Sequence, residues 1–160
     1  MGAARIGRRK RLPHLIGLIS DTHGLMRPEA LRALAGSERI VHAGDVGKPE
    51  ILEALRGVAP VVAVRGNVDT APWASELPET AGAGQIFVLH DLKQLALNPR
   101  AAGFRAVVSG HSHKPGVTER DGVLYINPGS AGPRRLRLPI TVARLDVTSE
   151  PWSVEFIDLA

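Results

Sequence analysis

Residues 15–45 have the sequence LIGLISDTHGLMRPEALRALAGSERIVHAGD, and this stretch decides the fold class. It begins with an apolar run, residues 15–20, that has the length of a buried strand. Residues 27–35 carry apolar side chains at helical spacing, with a proline near the start and a glycine after the end. A second apolar run, residues 39–43, leads to Gly44. The order strand, loop, helix, strand is typical of a βαβ unit with a mainly parallel sheet.

The segments that follow continue this alternation. Residues 49–56 are predicted to form a helix, because Ile51, Leu52 and Leu55 share one face and a glycine follows. Short apolar runs predict further strands at residues 61–65, 85–89, 105–109 and 123–126.

The remaining segments have weaker patterns. Residues 70–84 are rich in proline, alanine and glycine, which predicts a loop. Residues 92–102 predict a weak helix that an Asn-Pro pair interrupts. The alternating segments 140–147 and 152–159 flank a turn and predict a closing hairpin. Because no repeat or linker divides the chain, residues 14–160 are predicted to form one α/β domain.

The composition excludes several classes of protein. Of the 160 residues, 44% are hydrophobic and 22% are charged, which is typical of a globular domain and not of a disordered chain. The chain has no cysteine, so a disulfide-built fold, a thiolate metal site and a cysteine nucleophile are all excluded. A reducing compartment fits best, and we expect a cytoplasmic protein. No apolar run approaches the roughly 18–20 residues of a membrane span.

The positive charge is concentrated at the N-terminus. The formal net charge is +4, but residues 1–14 contain five basic residues and no acidic residue, and without them the charge is −1. We predict that residues 1–13 form a basic extension outside the domain, either disordered or a leader. A basic arm can also bind phosphate backbones, so a nuclease that uses this arm is an alternative.

Side chains able to bind a metal ion follow five of the predicted strands. Their spacing is regular, because successive motifs lie 21 to 23 positions apart, about the length of one βα unit. The carboxyl ends of parallel strands meet at one edge of a sheet, where open α/β sheets bind ligands. The seven candidate ligands are Asp21, His23, Asp45, Asn67, His90, His111 and His113.

Each candidate also has a structural interpretation when taken alone. Asp21 could cap a helix, whereas Asp45 and Asn67 could be turn residues. His90 could be a partly buried histidine with no ligand. The joint pattern favours a metal site, because independent accidents would not place oxygen and nitrogen donors after five successive strands.

The number of donors indicates how many ions the site holds. Two carboxylates, one amide and four imidazoles exceed the four to six ligands of one ion and suit two ions that share a bridging carboxylate. These donors suit Mn, which we expect first, or Ni, Co, Fe, Zn or Mg, better than Ca. Two ions roughly 3.5–4 Å apart are a common arrangement for phosphoryl chemistry.

These motifs resemble those of the calcineurin-like metallophosphoesterases, and the small size resembles the minimal phosphodiesterase branch of bacteria and archaea. The resemblance implies a four-layer αββα sandwich of two mixed β-sheets flanked by helices. It implies that Asp21, His23, Asp45 and His113 hold one ion. It implies that Asp45, as the bridge, holds the other with Asn67, His90 and His111.

Two departures from the family pattern bear on the chemistry. Many relatives have a histidine after the Gly-Asn pair, as a proton donor to the leaving group, but this chain has Val68. The fourth motif, often His-Gly-His, is His90-Asp91-Leu92 here. Loss of a general acid costs roughly 10²–10⁴ in rate for a poor leaving group, which favours phosphodiesters with acidic leaving groups.

Four residues are candidates for supporting roles. Arg134 and Arg135 are predicted to bind substrate phosphate, because guanidinium groups bind phosphate bidentately, although a solvated basic loop is an equal alternative. Asp69 and His42 are predicted to orient the ligands rather than bind metal.

The predicted function is hydrolysis of a small phosphodiester or nucleotide by a hydroxide that bridges two metal ions. Asp45, Asn67 and His111 are the predicted catalytic residues, with roles in bridging the ions and stabilising phosphoryl oxygens. The main alternative is a non-catalytic scaffold similar to a retromer subunit, but a scaffold has no need for the complete donor set. The closing hairpin is a candidate surface for pairing into a homo-oligomer.

Overall fold

The computed structural model describes residues 14–160, so the predicted basic extension, residues 1–13, lies outside the described residues. The described residues contain two α-helices, α1 (Pro28–Leu34) and α2 (Pro49–Arg56), and two short 3-10 helices at Pro72–Glu76 and Leu92–Gln94. The described strands are β1 (Leu15–Ile19), β2 (Arg39–His42), β3 (Val61–Ala63), β4 (Thr80–Ala83), β5 (Ile86–Leu89), β6 (Ala106–Val108), β7 (Gly116–Arg120), β8 (Val123–Asn127), β9 (Thr141–Asp146) and β10 (Ser153–Asp158).

The strands form two mixed sheets of five strands each. The first sheet has the order β10-β9-β1-β2-β3, with β1, β2 and β3 parallel and β9 antiparallel to both of its neighbours. The second sheet has the order β4-β5-β6-β8-β7, with β5, β6 and β8 parallel and both edge strands antiparallel. The pairing of β9 with β10 confirms the predicted hairpin.

Apolar side chains hold the layers together. Leu18 and Val41 of the first sheet pack against Val88 and Val108 of the second, and all four are fully buried. The other face of the first sheet packs on α1 and α2 through residues such as Leu55. Burial of one such side chain contributes about 1.5–3 kcal/mol relative to leaving it exposed. No helix in residues 14–160 is long and apolar enough to cross a bilayer.

The outer face of the second sheet differs from the outer face of the first sheet, which α1 and α2 cover. Its apolar residues, including Phe87 and Val107, pack against Leu92, Leu95 and Phe104. Within residues 14–160 this layer contains a 3-10 helix and turns, but no α-helix. The two mixed sheets and the helices on the first of them confirm the predicted α/β sandwich, while its fourth layer is much reduced.

Two local predictions are wrong, and one strand was not predicted. Residues 70–84 are not a loop throughout, because they include a 3-10 helix and β4, whose small side chains hide the strand pattern. Residues 92–102 form no α-helix, and only the first three residues are helical. Strand β7 was not predicted, because all five of its residues are exposed and lack an alternating apolar pattern.

Candidate metal centre

The seven predicted donors lie at one edge of the sandwich. Each is on a loop that follows the C-terminal end of a parallel strand, β1, β2, β3, β5 or β6. This is the edge at which open α/β sheets bind ligands. The first sheet contributes Asp21, His23, Asp45 and Asn67, and the second contributes His90, His111 and His113.

The two carboxylates lie at the centre of this group. Asp21 Oδ1 is 3.3 Å from His113 Nε2, 3.8 Å from His23 Nε2 and 3.9 Å from His90 Nε2. Asp45 Oδ2 is 3.5 Å from His23 Nε2 and 3.3 Å from His90 Nε2. Two sets of three residues could therefore each hold an ion, namely Asp21, His23 and His113, and Asp21, Asp45 and His90.

Several of these donor atoms are buried without a hydrogen-bond partner among the described residues. They are Asp21 Oδ1, His23 Nε2, His90 Nε2 and His113 Nδ1. A buried polar atom without a partner costs about 1–3 kcal/mol, and such atoms are rare in folded proteins. Divalent ions with carboxylate and imidazole ligands would satisfy atoms of this kind, so the site fits the predicted metal.

Asn67 and His111 lie at the exposed rim of the site. His111 Nδ1 is 3.2 Å from Asn67 Oδ1, and the His111 ring is 5.2 Å from the His90 ring. His111 Nε2 is 4.0 Å from the carboxylate of Asp91. The structure thus places these two residues beside each other and next to the buried cluster, but outside the two sets of three.

The loops that carry the donors have unusual backbone conformations. Five of the donors have φ between 48° and 72°, in the left-handed region that non-glycine residues rarely adopt. Such a residue costs of order 1–3 kcal/mol and persists only where the surroundings enforce it. For the three donors on the loops after β1 and β2, backbone hydrogen bonds between these loops hold the conformation, including His23 N–H to Asp45 O at 2.9 Å.

Two glycines allow the loops to approach the carboxylates. A Cβ atom on Gly66 would overlap the backbone nitrogen and Oδ1 of Asp45. A Cβ atom on Gly110 would overlap Ser20 Oγ and Asp21 Oδ2. Only glycine therefore permits the loops that carry Asn67 and His111 to pack directly on the predicted metal ligands.

His42 connects the first two loops from within β2. Its Nδ1 accepts from the Gly44 N–H at 3.1 Å, so its Nε2–H donates to Thr22 Oγ1 at 3.0 Å. The Thr22 hydroxyl in turn donates to Val46 O at 2.8 Å. Burial lowers the pKa of His42 to about 4, and protonation of Nδ1 would break the bond from Gly44. The His42 side chain is therefore neutral, and its role is to connect the loops behind the site.

The pKa of His42 predicts how the stability of the metal-free protein depends on pH. Between pH 6.5 and 4 the unfolded chain binds a proton at this residue and the folded chain does not, so stability is full above pH 6.5 and falls as the pH is lowered. In the wild type, His42 lowers the free energy of unfolding by roughly 2–3 kcal/mol between pH 7 and pH 4.5. We expect His42→Gln to lack this decrease, and urea unfolding at the two pH values measures it. His14→Gln is the matched control, and an equal loss in wild type and H42Q would contradict the assignment.

Asp69 links the loop after β2, which carries Asp45, to the loop after β3, which carries Asn67. Its carboxylate accepts three backbone N–H groups, from Gly66 at 2.9 Å, Gly47 at 3.0 Å and Val46 at 3.1 Å. The side chain is buried and lies outside both sets of potential ligands. Its contacts thus orient the loop that carries Asp45.

The charges in the cluster are strongly coupled. Burial opposes ionisation of Asp21, but the nearby His23 and Ser20 outweigh it and lower the pKa of Asp21. For Asp45, burial is likewise outweighed by His90 and the Val68 N–H, which lower its pKa. Asp21 raises the pKa of His23, and Asp45 raises that of His90 against its burial. An ion would have to displace protons from these imidazoles, so metal binding weakens as pH falls.

The two candidate arginines are in different situations. The Arg134 guanidinium donates to Leu138 O at 3.2 Å, within its own loop. Arg135 is near enough to the cluster that, after burial, its charge contributes to the lowered pKa of His113. That either arginine binds a substrate phosphate stays a prediction.

Sequence comparison identifies the family. Residues 15–150 match the model of the calcineurin-like phosphoesterase superfamily domain. The chain belongs to this superfamily. A probable metallophosphoesterase of Methanothermobacter thermautotrophicus is 36% identical over 149 residues, which cover 82% of this chain and 86% of the relative. Phosphodiesterase YfcE of Escherichia coli K12 is 30% identical over 161 residues, which cover 79% and 84%. The predicted family is confirmed.

Structural comparison agrees with this family. The structure of vacuolar protein sorting 29 from Cryptosporidium parvum matches with a TM-score of 0.76 over 92% of each chain, at 22% identity. At this identity the likeness concerns the fold alone, and it confirms the sandwich architecture.

Two serines of this phosphoesterase domain support Asp21, and the sequence patterns did not single them out. Ser20 Oγ donates to Asp21 Oδ2 at 2.7 Å, and Ser130 Oγ donates to Asp21 O at 3.0 Å. A serine at a strand end carries no signal of its own. Ser130 lies in the segment Asn127-Pro128-Gly129-Ser130, whose residue types are typical of an ordinary turn.

Proposed function

We propose that this calcineurin-like phosphoesterase hydrolyses phosphodiesters with two divalent ions, of which Mn is the first choice. The observation that carries the proposal is the buried cluster of unpartnered donor atoms around Asp21 and Asp45. Its mixture of carboxylate, amide and imidazole groups suits first-row ions, and its position at the sheet edge leaves one side open to a substrate.

The donors divide between two ions with Asp45 in common. Asp21 is common to the two sets of three residues, but Asp45 Oδ2 is closer to His23 and His90, at 3.5 and 3.3 Å against 3.8 and 3.9 Å for Asp21 Oδ1. These two histidines belong to different ion sets in the proposed arrangement, so Asp45 is taken as the shared ligand. The first set is Asp21, His23, Asp45 and His113, and the second is Asp45, Asn67, His90 and His111. When bound, such ions neutralise phosphate charge and lower the pKa of a water molecule.

The exposed rim provides contacts for the substrate. The Asn67 amide nitrogen can donate a hydrogen bond toward the phosphoryl oxygens, where charge develops in the transition state, and His111 lies beside it. Arg135 adds a positive charge on the side of His113. These groups orient the phosphate, while the buried carboxylates hold the imidazoles in place.

The preference for diesters with acidic leaving groups rests on Val68. This side chain follows Asn67 at the rim and is 44% exposed, so it would face a substrate without offering a proton. A leaving group that needs no protonation avoids this deficit. The name of the 30% identical relative, a phosphodiesterase, agrees with this preference.

Hydrolysis of p-nitrophenyl esters tests the proposal. Metal-stripped protein is assayed with bis-p-nitrophenyl phosphate and with the monoester while Mn, Ni, Co, Zn or Mg is restored singly. We expect metal-dependent cleavage with a higher kcat/KM for the diester. Folded protein that shows no turnover with any ion would instead favour the non-catalytic, protein-binding alternative.

A further inference from the structure

An open groove runs along the outer face of the second sheet. Its volume is about 790 Å³, within the range of small-molecule sites. Successive side chains of β8 lie on opposite faces of the second sheet. Leu124 and Ile126 contribute to the core between the sheets, whereas Val123 and Tyr125 contribute to the outer face. Because this face has no α-helix in the described chain, Tyr125 lines the groove instead of being covered.

The groove is continuous with the metal centre. His111 and Asp91 line both the groove and a smaller cavity of about 300 Å³ that is also lined by Asn67 and His90. At the junction, Asn127 Nδ2 donates to Gly110 O at 3.0 Å. A substrate whose phosphorus lies at the metal centre can therefore extend one ester arm into the groove.

The groove combines a planar aromatic surface with positive charge. The Arg120 guanidinium lies over the Tyr125 ring, with its central carbon 4.2 Å from the ring centre. Arg120, Lys93 and Lys114 are exposed and form no ion pair with any residue in the range 14–160. Guanidinium planes and aromatic rings are surfaces on which nucleobases stack.

We propose that the groove binds the nucleobase of a small nucleotide ester, with the base stacked on the Arg120–Tyr125 pair. This inference rests on the proposed function, since it places the phosphate of the same molecule at the metal centre. A small nucleotide is favoured over a nucleic acid strand because the net charge of residues 15–160 is −1, whereas strand-binding domains are basic.

Calorimetric titration with a matched pair of ligands tests the inference without any hydrolysis. Adenosine 5′-monophosphate and ribose 5-phosphate share a sugar phosphate and differ in the base. For Mn-loaded wild-type protein we expect the nucleotide to bind about tenfold more tightly or better, the gain typical of stacking one base. Arg120→Ala and Tyr125→Leu should each remove most of this preference, whereas Tyr125→Phe, which keeps the ring, should retain it.

Arg56→Ala, on the remote helix α2, is the matched arginine control and should leave the preference unchanged. Equal binding of the two ligands by the wild type, or a preference that R120A and Y125L both retain, would overturn the inference. Binding of a single-stranded DNA 12-mer more than tenfold more tightly than the nucleotide would also overturn it, in favour of a strand. Cleavage of bis-p-nitrophenyl phosphate reports separately on the proposed function, so the two can fail independently.

Discussion

Replacement of Asp45 by Asn is expected to reduce metal-dependent hydrolysis of bis-p-nitrophenyl phosphate by more than about 100-fold. Residues that only support metal ligands typically contribute 10–100-fold, and Asp45 is the proposed shared ligand itself. Its Oδ2 lies 3.5 Å and 3.3 Å from the His23 and His90 imidazoles, and its Oδ1 accepts the Val68 N–H at 3.0 Å. The amide keeps the shape of the side chain but removes the charge that two cations would share.

The measurement pairs activity with metal content. D45N should hold less Mn per chain by mass spectrometry, yet retain the circular dichroism and cooperative unfolding of the wild type. Asp158→Asn, at the end of the edge strand β10, is the matched control and should keep full activity. A D45N protein with normal turnover and a full complement of metal would rule out Asp45 as the shared ligand.

Replacement of Gly66 by Ala is expected to lower both stability and metal affinity. The added methyl group would overlap the backbone nitrogen and Oδ1 of Asp45. The backbone nitrogen cannot move without shifting the loop, and a shift of Oδ1 would displace the proposed metal ligand itself. Forcing one extra carbon into a packed site costs about 1–3 kcal/mol. Since the second and third loops would have to separate, we also expect metal affinity to fall by about 10–100-fold.

Gly82→Ala supplies the control for this substitution. A Cβ at Gly82, on strand β4, would meet only the Phe104 ring at an ordinary 3.6 Å. Urea unfolding and Mn titration of both variants should show a defect in G66A alone. If G66A bound metal and unfolded like the wild type, the close contact between these two loops could not be what positions Asp45.

Much of the fold was predictable because its main signals are local. Strands β1, β2 and β5 are apolar runs buried on both faces, and each is followed by a donor residue. Periodicity finds such runs without knowledge of their neighbours. Strand β4 was missed because its small residues lack an apolar pattern and it forms an edge through pairing with β5. Exposed β7 likewise depends on pairing with β8.

The candidate site shows the same limit in its details. The sequence predicted that the donors would meet at the edge of one sheet, whereas the structure divides them between the facing edges of two sheets. Nor did the sequence predict which donor atoms would be buried and unpartnered. The three N–H groups bound by Asp69 come from two loops about twenty positions apart, and no local pattern predicts such a contact. No local pattern predicts the roles of Gly66 and Gly110 either, because each is required by the close approach of a neighbouring loop.

The division of donors between the two sheets has a consequence for protein turnover. In the proposed arrangement each ion takes ligands from both sheets, so the sheets cannot separate without release of metal. The free energy of metal binding then adds to the free energy of unfolding. A cell short of metal would hold a protein that is both idle and more readily degraded by proteases. The abundance of this protein would therefore follow metal supply, with no dedicated sensor required.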